Sequence, residues 1–143
     1  RCAPAPVTSN VMRTEADPLF SKYDRRESCV LETRFSVVGL YVVVEAQARE
    51  TAQSVHVEVF FPQHRGFLLL DESDMPSWLA AQCFRTDHLV YRVSQGGWLG
   101  NLNPDDSLLQ IASAQSNEWI IVTANECVSV FSAFEPRIQE LSV

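Results

Sequence analysis

Arg34-Phe35-Ser36-Val37-Val38-Gly39-Leu40-Tyr41-Val42-Val43-Val44-Glu45-Ala46-Gln47 is the longest apolar run in the chain. It is rich in β-branched and aromatic residues, and one glycine, Gly39, interrupts it early. From Leu40 onward, Leu40, Val42, Val44 and Ala46 fall on one face of an extended chain, and Tyr41, Val43, Glu45 and Gln47 on the other. Apolar residues on both faces, with polar ones only at the far end, predict a strand covered on both sides. The rest of the chain is expected to pack around this strand.

Working outward, the polar turn Arg49 to Gln53 leads into Ser54-Val55-His56-Val57-Glu58-Val59-Phe60-Phe61. Val55, Val57, Val59 and Phe61 face one way and His56 and Glu58 the other, the pattern of a half-buried antiparallel strand. Further strands are expected at Phe67 to Leu70, His88 to Val93, Leu108 to Ala112, Trp119 to Thr123 and Val128 to Phe134. Asn103-Pro104-Asp105-Asp106 reads as a turn, with proline setting φ at its second position. On the N-terminal side, Thr8 to Met12 is a short edge strand and Thr14 to Pro18 a turn. Leu19 to Tyr23 is weakly strand-like, and Asp24-Arg25-Arg26-Glu27 is an exposed charged turn. Met75 to Gln82, with Asp74 as a cap, is the one helical stretch expected. Arg137 to Val143 reads as a loose tail. The sum is an all-β, antiparallel two-sheet jelly-roll sandwich of about eight to ten strands. One domain spans residues 1–143, with its core at about 8–134.

The totals agree with a folded single domain. The chain has 143 residues and is 46% hydrophobic, enough for a real core and too apolar for disorder. Its formal charge is −7, one basic residue (Lys22) is a lysine, and no basic stripe exists. Nucleic acid is therefore not an expected partner. No apolar run is long enough to span a membrane, so no membrane contact by this domain is expected.

Catalytic signatures are missing. There is no Gly-x-Ser-x-Gly elbow, His-Glu-x-x-His pair, phosphate loop or dinucleotide fingerprint. His56, His64 and His88 are dispersed, as are Cys2, Cys29, Cys83 and Cys127, so zinc is not expected. Asp71, Glu72 and Asp74 read as a solvated turn more readily than as a calcium site. A non-enzymatic binding role without cofactor or metal follows. Four cysteines in a β-rich chain allow two disulfides in three pairings, or free thiols in a cytosolic protein. Cys2 with Cys29 and Cys83 with Cys127 is the pairing favoured here.

Three pieces resemble one family in order and spacing. The run Phe35 to Gln47 is similar to the glycine-aliphatic-tyrosine strand of tumour necrosis factor ligands. Gly96-Gly97-Trp98-Leu99-Gly100-Asn101-Leu102-Asn103-Pro104-Asp105-Asp106-Ser107-Leu108 resembles their double-glycine strand–turn–strand. Val128-Ser129-Val130-Phe131-Ser132-Ala133-Phe134 resembles their closing strand. Ser132 and Asp105 stand where that family has glycine. The chain thus resembles a divergent member of the tumour necrosis factor ligand superfamily. Cys29, shortly before the central strand, is similar to the glucocorticoid-induced receptor ligand group. Complement-type globular heads are the sister alternative.

The resemblance implies an extracellular, cytokine-like ligand of immune signalling, secreted or shed from a membrane anchor outside the sequence given. It would act as a homotrimer that binds and clusters receptors of the tumour necrosis factor receptor type. It places Tyr41, Val43, Leu102 and Phe131 in the core or at the trimer contact. It puts receptor-contacting loops at Glu15 to Arg26, Pro62 to Phe67 and Gln115 to Trp119. Tyr23, Arg25, Phe61, His64, Arg65, Phe67 and Trp119 stand out there as anchors, because interface hot spots are enriched in aromatic residues and arginine. Two alternatives are a lectin-like head using Trp78, Trp98 or Trp119, and a β-sandwich adaptor with free thiols.

Overall fold

The computed structural model describes residues 13–71, 82–101 and 116–142. Its strands are β1 (Glu15–Ser36), β2 (Gly39–Ala48), β3 (Ser54–Pro62), β4 (Gly66–Asp71), β5 (His88–Gln95), β6 (Asn117–Val122), β7 (Glu126–Ser132) and β8 (Arg137–Leu141). Short 3-10 turns lie at Gln82–Phe84 and Leu99–Asn101. The all-β, antiparallel expectation holds. The described strands are hydrogen-bonded in one eight-stranded order, β4-β7-β6-β5-β1-β2-β3-β8.

That sheet curls until its two ends meet. Phe60 of β3 lies opposite Arg137 of β8, and Gly66 of β4 opposite Phe131 of β7. Six positions separate the members of each pair along both strands, so the two ladders share one register across a corner. At the corner the Arg65 amide donates to the Phe131 carbonyl at 2.8 Å. Ser132 Oγ donates to the Pro62 carbonyl at 2.7 Å. β3–β4 and β7–β8 thus behave as two bent strands that close a barrel-like ring through β2, β1, β5 and β6.

β1 makes the other bend. Its first half pairs with β5 and its second half with β2, with register breaks between Leu19 and Asp24, Asp24 and Cys29, and Val30 and Glu32. Phe20 and Glu27, both at φ 56°, fall within these breaks. Bulges of this kind raise local twist and turn a strand around a corner. Glu15 to Pro18 of the first expected turn, and Asp24 to Glu27, are therefore parts of one interrupted strand. Asp24 is 2% exposed and holds the bulge. Its carboxylate accepts from the Arg26 amide at 2.8 Å and Arg26 Nη2 at 2.7 Å, and Arg49 Nη1 lies at 3.5 Å. The Arg26 hydrogen bond leads in holding its pKa below the usual carboxylate value.

The interior is built by the residues the alternation picked out. Leu40, Val42, Val44 and Ala46 of β2 pack with Val57, Val59 and Phe61 of β3, and with Trp119, Ile121, Val128 and Val130 from the far side of the ring. Gly39 sits against the Phe61 carbonyl and the Phe60 ring, with no room for a Cβ. The tail read as loose is β8 over Arg137–Leu141. The expected segments Thr8 to Met12, Met75 to Ala81 and Leu108 to Ala112 lie outside the described residues.

Candidate functional site

The two halves of the ring differ on their outer surfaces. Over β5–β7 a second apolar layer, Phe84, Tyr91, Ile120, Val122 and Cys127, is covered by Cys83 and Trp98. Trp98 stacks on Phe131 with centroids 4.6 Å apart. The strap that carries Trp98 is pinned by Glu118, which is 3% exposed. Its carboxylate accepts from the Trp98 and Leu99 amides at 2.9 Å each and from Ser129 Oγ at 2.6 Å. Burial pushes its pKa up, and these three donors oppose the shift. Gly97, at φ +67°, lies so close that a Cβ would come within 2.7 Å of Glu118 Oε1. The Gly-Gly pair is therefore a clasp, followed by the 3-10 turn at Leu99–Asn101.

No such cover lies over β1–β2–β3–β8 among the described residues. Register lines up a four-strand row there: Arg34 opposite Tyr41, Tyr41 opposite Phe60, Phe60 opposite Arg137. The Arg34 guanidinium lies 4.3 Å from the Tyr41 ring centroid, the two rings are 4.6 Å apart, and Arg137 is 5.1 Å from the Phe60 ring. A guanidinium laid on a ring keeps its N–H edge for an anion. The next row is Glu32, Val43, Glu58 and Gln139. Glu32 sits 3.4 Å and Glu58 4.0 Å from Arg34, whereas no acidic partner is recorded for Arg137 among the described residues.

Two depressions meet at Arg137. One, of about 610 Å³, is walled by Val38, Tyr41, Phe60 and Ile138, with Glu58 and Gln139 at its side. The other, of about 350 Å³, lies between Pro62, Gln63, Phe134 and Glu135. Of the lining residues, Val38 is 52% and Phe134 49% exposed, and Phe35 (70%) and Val37 (101%) stand out in the same β1–β2 hairpin as Val38. Aromatic residues, arginine and apolar pockets in this arrangement are what interface centres use.

The expected site residues divide. Tyr41 and Val43 stand half-buried on the bare face. Phe131 is 1% exposed beneath Trp98, and Leu102 lies outside the described residues. Among the expected receptor anchors, Tyr23 (5%), Phe61 (0%) and Trp119 (3%) belong to the core. Trp119 Nε1 donates to the Ser132 carbonyl at 3.0 Å. Arg25 pairs with Asp87 at 3.4 Å. His64 bridges the rings of Phe35 and Phe67, at 6.3 and 6.1 Å, and Arg65 is exposed. Burial lowers the His64 pKa. The loops assigned at Glu15 to Arg26 and Gln115 to Trp119 lie largely in β1 and β6. Sequence reasoning missed Arg34, Phe60, Phe134 and Arg137, although Phe60 beside Phe61 was a visible signal of an aromatic on the polar face.

The cysteines are corrected as well. Cys29, Cys83 and Cys127 are free thiols, so the Cys83–Cys127 bond is not made, and Cys29 is not bridged. Cys2 lies outside the described residues. Cys127 is 2% exposed, and burial pushes its pKa up to about 12. Burial also raises Cys29 and Cys83. No group of three or more metal-ligating side chains occurs among the described residues, and no described helix is long and apolar enough to cross a membrane. Comparison with family models, curated proteins and solved structures found no match to this chain.

Proposed function

We propose that this domain is a non-catalytic, cytokine-like extracellular ligand that binds and clusters cell-surface receptors as a homotrimer. One observation carries the reading. The outer face of β2 and β3 presents Tyr41, Val43 and Phe60 partly exposed, while the matching face over β5–β7 is covered. Exposed apolar patches on folded domains mark interaction sites. Tyr41 and Val43 would meet a sister subunit, and clustering would act by multivalency. Sedimentation at micromolar concentration tests it: a trimer is expected, and a strict monomer removes the clustering mechanism.

The three free thiols favour a second reading, an intracellular β-module that binds partners in a reducing compartment. Mass spectrometry after secretion from an oxidising compartment separates the two. A folded, monodisperse product with Cys29 and Cys83 unbridged keeps the first reading; scrambled disulfide-linked species favour the second.

A further inference from the structure

We propose that the paired grooves around Arg137 form a docking site for an extended protein segment in which an acidic residue is flanked by apolar ones. The inference rests on the receptor-binding reading and names the chemistry of the partner. Three observations carry it. The two depressions, of about 610 and 350 Å³, share Arg137 and lie on either side of it. Each has an apolar wall: Val38 and Phe60 in the larger, where Tyr41 borders the groove on the β2 side that the trimer reading gives to a sister subunit, and Pro62 and Phe134 in the smaller. Between them the exposed Arg137 guanidinium rests on Phe60, with no acidic partner recorded among the described residues.

Geometry then selects the occupant. An arginine held on a ring and free along its N–H edge takes a carboxylate in a forked pair. Alternate side chains of an extended segment point the same way and are about 6.8 Å apart. A segment reading apolar, spacer, acidic, spacer, apolar therefore sets its carboxylate on Arg137 and an apolar side chain in each groove. A basic central residue would meet Arg137 with like charge. Glu58 and Glu135, at the margins of the two grooves, repel further acidic residues and so limit the carboxylate to the centre.

The test uses two blocked pentapeptides, Leu-Ser-Glu-Ser-Leu and Leu-Ser-Lys-Ser-Leu, titrated into the whole domain by NMR. Expected are shifts centred on Phe60, Phe134 and Arg137, and at least tenfold tighter binding of the glutamate peptide. Arg137→Glu reverses the order of the two peptides. Phe134→Ala weakens the glutamate peptide severalfold, and Arg92→Glu, on the opposite half of the ring, changes neither. The proposal is overturned if the two peptides bind alike, if neither binds at millimolar concentration, or if Arg137→Glu leaves their order intact. Sedimentation of the same samples reports assembly separately. A trimer that ignores both peptides removes this site alone, and a monomer that prefers the glutamate peptide removes the trimer alone.

Discussion

Phe131 and Phe60 are both phenylalanines pointing out of the same curled sheet, yet one is 1% exposed and the other is only partly buried. The difference is made by a short strap. Over β7, two glycines let the chain double back so that Trp98 covers Phe131, and Glu118 holds the strap by two backbone amides. Over β3, no described segment does the same, and Phe60 is flanked by Tyr41 and Arg137. Equal sheet chemistry thus becomes core on one side and available surface on the other, decided by local backbone geometry.

The sharpest way to break this contrast is to remove both rings. Phe131→Ala should cost about 3–5 kcal/mol, the range for deleting a buried aromatic. Phe60→Ala should cost about 1 kcal/mol or less, since its ring packs across strands on a wet face. Urea unfolding measures both, and equal losses would erase the distinction between the faces. Next in size is Gly97→Ala. A left-handed φ and a clash with Glu118 predict a loss of about 1–3 kcal/mol, with Trp98 fluorescence shifting as the strap lifts.

A smaller, pH-dependent effect comes from Glu118. Its folded pKa is raised above the ordinary 4.5, so the folded state holds the proton more tightly than the unfolded state. The cost of the buried charge is therefore full above the folded pKa and is relieved as pH falls through it toward 4.5. The stability of the parent relative to Glu118→Gln should rise as pH drops from neutral to about 5. A flat difference between the two proteins would show that the carboxylate titrates normally.

The core of the fold was readable in the sequence because period-two alternation reports burial directly. Leu40, Val42, Val44 and Ala46 were assigned to the interior and occupy it, and Val57, Val59 and Phe61 join them. β1 was not readable. Pro18 and the charged run Asp24 to Glu27 look like turns, and only the register breaks and two left-handed residues let one strand absorb them. The closing corner was equally hidden, since it depends on a register shared by strands some seventy positions apart. Two-sided apolarity predicted a cover over both faces of β2, and among the described residues the face of Tyr41 and Val43 has none. Arg137 was not legible, because it acquires its role only by pairing beside Phe60. Trp119 misled for a physical reason: an aromatic in a short polar context reads as exposed, and here its indole N–H finds a carbonyl inside the ring.

The bare face is the central claim, and sedimentation of Tyr41→Asp beside the parent tests it most directly. A parent that sediments as a trimer, and a Tyr41→Asp variant that keeps its circular dichroism but sediments as a monomer, is the predicted result. A folded Tyr41→Asp variant with unchanged assembly would contradict it.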